Sequence, residues 1–189
     1  MKKELRRQFF HYFFGCIIIL LIGFLGTMQY IILNMVILLT GYFLSVQIKQ
    51  KKKIPLIDKQ INKILDYAGR PTEKESPGKG ALTFFTGTLL ATILFHNNLI
   101  LVIGAIIPLV FGDSFSTVLG KLIGKIKIQD KTLEGSIAGI LVSFLYLSIL
   151  FPLSVAFTAA AIGMSMEYLP IEDNYTIPIA TGFALMLLI

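Results

Sequence analysis

"FGDSFSTVLGKLIGKIKIQDKTLEGSIAG", residues 111–139, breaks into a chain otherwise written in long apolar runs. It carries acids, lysines and repeated glycines where lipid-soluble side chains would be expected. Gly112, Ser116, Gly120 and Gly124 recur every fourth residue, which leaves one helical face without bulk. Asp113, Thr117, Lys121 and Lys125 form the neighbouring stripe at the same spacing. A packing seam with snorkelling lysines accounts for the glycines. It does not account for a carboxylate at the head of the stripe, and an acid close to a membrane and facing cations marks a candidate site. Further on, Thr132 is placed to cap the next helix. Glu134 falls in that helix's first turn, where an acid is favourable whether it caps or catalyses.

The rest of the chain gives this stretch its setting. Of 189 residues 55% are apolar and 15% charged, with mean hydropathy +0.78, whereas about a quarter of an ordinary soluble domain is charged. The composition implies one integral membrane domain over residues 1–189, an all-α bundle with no signal-peptide cleavage pattern. Apolar runs predict about seven spans: 9–26, 27–48, 80–95, 99–111, 133–151, 153–166 and 175–189. Several have only roughly 13 to 15 residues, against the ~20 that cross a bilayer, so their polar ends would sit inset from the membrane face. The lone Cys16 lies within an apolar run and reads as packing.

With the N-terminus in the cytoplasm, all 17 Lys and Arg and all 11 Asp and Glu fall on the cytoplasmic side. The basic half follows the positive-inside rule. The acids follow no such rule, and their confinement points to a one-sided polar working surface. The net charge of +6 therefore marks topology and gives no reason to expect nucleic acid.

The remaining polar segments each have two readings. Arg7 and His11 share a helical face and serve either as an interfacial anchor or as a headgroup contact. After Pro55, apolar residues recur at helical spacing over 57–65, as in a helix lying along the membrane surface. "PGKG", residues 77–80, opens a span with glycines and Lys79, a weak phosphate signal without P-loop spacing. "EYLPIEDNYTIP", residues 167–178, is either a capped acidic turn or, through Asp173 and Asn174, an oxygen-ligated Mg²⁺ site.

Taken in order, "RRQFFHYFFG", "SPGKGALTFFTGTLLATILF", the GD-through-KTLEGS block and "EYLPIEDNYTIP" resemble the polyprenol kinase family. That family includes dolichol kinase, CTP-dependent diacylglycerol kinase and phytol kinase. The resemblance runs from about residue 6 to residue 178. The middle block is also similar to phosphatidate cytidylyltransferases, whose C-terminal Lys-Asp and Gly-His-Gly-Gly signature is missing here. The resemblance implies a cell-membrane kinase that transfers phosphate from CTP to the hydroxyl of a membrane lipid alcohol, with Mg²⁺. It implies Asp113, Asp173 and Asn174 at the metal, and Lys121, Lys125 and Lys131 on the nucleotide phosphates. Gly112, Gly120, Gly124, Thr132 and Lys79 would stand near those phosphates. Glu134 or Asp173 would take the proton, and Arg7 and His11 would meet the headgroup. A CDP-lipid synthase is the alternative within the same chemistry. A small non-enzymatic transporter is a second alternative, although it would place ionisable groups near the bilayer midplane.

Overall fold

The computed structural model describes residues 2–50 and 77–189, almost wholly as helix. The helix expected over 57–65 lies outside these residues. Helix α1, Lys2–Leu25, turns sharply into α2, Thr27–Lys49. The turn is made by Gly26, whose φ of 83° suits a residue without Cβ. Helix α3, Lys79–Phe95, follows, and then α4, Leu99–Ile107, capped by the Asn98 side chain accepting from the Leu101 N–H at 3.1 Å.

The 99–111 run does not end as a short span. It passes through a π-helical turn, Pro108–Gly112, straight into α5, Asp113–Ile123. Leu99–Ile123 is thus one broken helix of 25 residues. Pro108 has no N–H to give, and the next register also shifts: the Asp113 N–H bonds the Pro108 carbonyl, five residues back. The Leu109 carbonyl, left without its helical donor, accepts from His11 Nε2–H at 3.0 Å.

A small hairpin, β1 (Lys127–Ile128) and β2 (Lys131–Thr132), then turns through Gln129 at φ 56°. Helix α6, Leu133–Leu147, starts at the Thr132 hydroxyl, which accepts from the Gly135 N–H at 3.2 Å. Helices α7, Leu153–Ser165, and α8, Asp173–Leu188, are joined by a 3₁₀ turn, Met166–Tyr168.

Three helices among the described residues are long and apolar enough to cross a membrane: α1, α2 and the broken helix. They differ in placement. The broken helix has 72% of its apolar window buried, against 22% for α1 and 6% for α2, so it forms the centre of the bundle. Around it the core holds Ile22, Val102, Ile106, Leu109, Leu147 and Leu185.

Close helix approaches come from small residues. The Gly112, Ser116 and Gly120 face of α5 lies against Gly135 and Gly139 of α6. Helix α3 meets the start of α8 at Gly87, where a methyl group would strike the Asn174 carbonyl. That carbonyl faces outward because Pro178, four residues on, offers it no N–H. Charged groups gather at one end of the bundle. At the other, the Thr27 hydroxyl donates to the His96 carbonyl at 3.0 Å and ties two turns together.

Candidate functional site

The π turn aims Asp113 away from the seam with α6 and toward the hairpin. There Lys131, carried back by β2, places its ammonium among three carboxylates. Nζ lies 2.9 Å from Asp173 Oδ2, 3.3 Å from Asp113 Oδ1 and 3.7 Å from Glu167 Oε2. Three elements distant in sequence therefore converge on one cation: the centre of the broken helix, the 3₁₀ turn and the first residue of α8.

Glu167 is the most enclosed of the three acids. Its Oε2 accepts from Ser116 Oγ at 3.0 Å and Ser136 Oγ at 3.4 Å, and Ser136 in turn accepts from the Tyr168 hydroxyl at 2.8 Å. Its other oxygen, Oε1, is buried without a hydrogen-bond partner. Burial pushes the Glu167 carboxyl up to about 7, the negative charges of Asp113 and Asp173 adding to the effect while Lys131 opposes it. Asp173 is also raised, again chiefly by burial. Burial pulls the Lys131 ammonium down, but the three surrounding carboxylates more than reverse this and hold it charged.

The cluster forms one wall of a cavity of about 1010 Å³, at the upper end of the volumes that hold small molecules. Asp113, Asp130, Glu167, Glu172 and Asp173 face it against Arg7, Lys121 and Lys131, so acids exceed bases. Phe10, Phe14, Phe84 and Phe85 also line it and give it an aromatic part. At the rim Glu4 gathers two cations, contacting Arg7 and pairing with Lys121 at 2.9 Å.

The structure brings many of the sequence-derived residues to this cavity and leaves others elsewhere. Asp113, Asp173, Asn174, Lys121, Lys131, Thr132, Gly120, Arg7 and His11 all line it. His11 Nε2–H is engaged with Leu109, and its ring lies 4.3 Å from that of Phe84. Asn174 donates from Nδ2 to Thr83 Oγ1 at 2.8 Å. Lys79 pairs with Glu172 at 2.9 Å, beside Gly78 and Gly80 of the cavity wall. Gly112 is packed against Ser143 and Met164 in the helix seam.

Glu134, Lys125 and Gly124 belong instead to a separate shallow depression. Helix α5 stops at Ile123, and Gly124 is extended at ψ 126°, which takes Lys125 off the stripe that runs through Asp113. The Glu134 carboxylate accepts from the Ile126 N–H at 3.2 Å through both oxygens and pins the strand that follows. The sequence places Glu167 in the last acidic cluster but gives it no separate role, and it does not reveal its hydroxyl partners. Its signal is an acid at a helix end, with Leu169-Pro170 two residues on, while Ser116 stands out by its lack of bulk rather than by its hydroxyl.

Among the described residues no three His, Cys, Asp or Glu side chains are arranged to enclose a metal ion. Magnesium does not need such a cage: one or two carboxylates with phosphate oxygens and water commonly suffice. Asp113 and Asp173, both hard oxygen donors at the cavity wall, fit that mode.

The chain is 31% identical over 191 residues to "Uncharacterized protein MJ1137" of Methanocaldococcus jannaschii, a match covering 96% of this chain and 92% of the relative. It belongs to the same family as that protein. The family likeness extends over nearly the full length of both, so it takes in the bundle as a whole and not one segment. No protein-family model matches the chain, and no solved structure matches it.

Proposed function

We propose that the protein is a membrane lipid-alcohol kinase of the polyprenol kinase type, taking its phosphoryl group from CTP and working at the cytoplasmic face. One observation carries the reading: Asp113, Glu167 and Asp173 meet on Lys131 in a cavity that four phenylalanines also line. A charged nucleotide and a greasy alcohol need those two surfaces side by side.

Phosphoryl transfer depends on alignment and charge neutralisation more than on covalent help from the protein. Lys131, Lys121 and Arg7 supply positive charge for the phosphates. Asp113 would help to hold Mg²⁺, which would supply further charge neutralisation for the phosphates. Asp173 accepts the proton of the lipid hydroxyl. The hydroxyl oxygen bonds to the γ-phosphorus, the bond from that phosphorus to the β,γ-bridging oxygen breaks, and CDP leaves. Glu134, outside the cavity, takes no part.

The short helices fit this arrangement. Helix α7, with 13 residues, spans only about 20 Å at 1.5 Å per residue, so a bundle of seven helical rods would hold its charged end below the headgroup level.

The test is purified full-length protein in nanodiscs with CTP labelled at the γ-phosphate and a panel of lipid alcohols. Labelled lipid monophosphate and CDP are the expected products. Incorporation of α-label into an anionic lipid, with pyrophosphate release, would replace this reading with that of a CDP-lipid synthase.

A further inference from the structure

Helix α1 packs on α2 and on both halves of the broken helix, and α3 packs on α2, α4 and α8. Helices α1 and α3 touch where the His11 ring lies 4.3 Å from that of Phe84, and the cavity beside this contact carries Phe10 and Phe14 of one helix and Phe84 and Phe85 of the other in its wall. Phe14 also stands on the outer surface of α1, 43% exposed, while Phe84 is buried at 4%. The rings of Phe10 and Phe14 stack one helical turn apart at 6.2 Å, and Phe84 and Phe85 meet edge-on at 5.8 Å. An aromatic surface beside the His11 ring thus leads from the outside of the bundle toward the polar cluster.

We propose that a neutral lipid with a single hydroxyl headgroup reaches the site sideways through the cleft between α1 and α3. Its tail lies along Phe10, Phe14, Phe84 and Phe85, and its hydroxyl meets the Asp173–Lys131 pair. This deepens the lipid-alcohol kinase reading and rests on it. Two features specify the occupant. The outer lip is formed by a helix long and apolar enough to lie in lipid, so a molecule dissolved in the bilayer meets Phe14 first. At the inner end carboxylates outnumber cations, and Lys131, Lys121 and Arg7 are already engaged by the nucleotide phosphates in the kinase reading, which disfavours an acceptor bearing a further phosphate and leaves a neutral hydroxyl as the compatible headgroup.

The test uses the full-length protein in phosphatidylcholine nanodiscs with a hexadecanol probe bearing a mid-chain diazirine, without nucleotide. After photolysis and proteolysis, mass spectrometry should find label on Phe10, Phe14, Phe84 or Phe85. Plain hexadecanol should compete the label away, and hexadecyl phosphate should compete about tenfold less well. Ala81→Trp, which fills the cleft from α3, and Phe14→Ala, which strips its lip, should each weaken labelling by about tenfold. Phe14 is exposed enough that its removal leaves the core intact. Label confined to the outer face of α2, or insensitive to competitor, overturns the lateral route. Equal or better competition by hexadecyl phosphate overturns the neutral headgroup. The two readings fail separately: labelling of the cleft without γ-phosphate transfer defeats the kinase, and transfer with label elsewhere defeats the cleft.

Discussion

Lys131 is the counter-charge on which the site depends. Replacing it with Met leaves Asp113, Glu167 and Asp173 facing one another at one enclosed spot. Breaking a buried ion cluster from one side typically costs about 3–5 kcal/mol, so Lys131→Met should lower the melting temperature and abolish transfer. The companion Asp113→Asn relieves repulsion and should melt closer to the parent while remaining inactive. Thermal unfolding and the γ-label assay read the two effects apart. Glu167 makes a pH prediction. Its carboxyl binds a proton more tightly folded, at about 7, than an ordinary glutamate does. Between the ordinary glutamate range and about 7, the folded state therefore holds more proton than the unfolded one. The stability from this group is full below that window and is lost as pH rises through it. The raised Asp173 acts with the same sign. Melting temperature should fall across that interval, and Glu167→Gln should flatten the slope; an unchanged slope in that variant would assign the pH dependence elsewhere.

At the scale of elements, two contacts set where the acids point. Gly87 lets α3 rest on the Asn174 carbonyl and so fixes the start of α8, with Asp173 next to it. Gly87→Ala should displace that start and cost about 1–3 kcal/mol, as overpacking does, and transfer should fall further than stability does. His11 holds the buried Leu109 carbonyl that the π turn leaves without its helical donor. His11→Ala should therefore impair transfer by disturbing Asp113, and His11→Gln, which can still donate, should recover part of it. Both are read from turnover beside the melting curve. Here the limits of sequence become physical. Thr132 as a cap and the small face of α5 follow from local chemistry and four-residue spacing. The same spacing misplaces Lys125, because nothing in the stripe shows that α5 stops at Ile123. Glu134, in a first-turn position that suits a cap or a catalyst equally, is taken up by the Ile126 N–H, a partner set by the hairpin and not by its own helix.

For the molecule as a whole, the apolar runs could be read directly from hydropathy, and the segregation of charge to one end was visible in their spacing. The central helix was not. A proline, a glycine and an aspartate at 108–113 look like the end of a span, and only the widened turn shows how the chain accommodates all three without stopping. The proposed seven crossings predict that cysteines placed at Gln50 and at Asn97, in a Cys16→Ser background, react with impermeant maleimide from opposite sides of sealed vesicles. Reaction from the same side would reduce the number of crossings between them and reverse the proposed orientation of the later helices.

The π turn also fixes the length of the chain at this point. Inserting one residue between Leu109 and Phe111, where the widened turn already takes up an extra one, would rotate everything beyond it by about 100°. The glycine face of α5 would swing away from α6, and Asp113 would point somewhere other than Lys131. A single in-frame codon gain, harmless in many surface loops, should here separate the two halves of the site while sparing every residue that composes it.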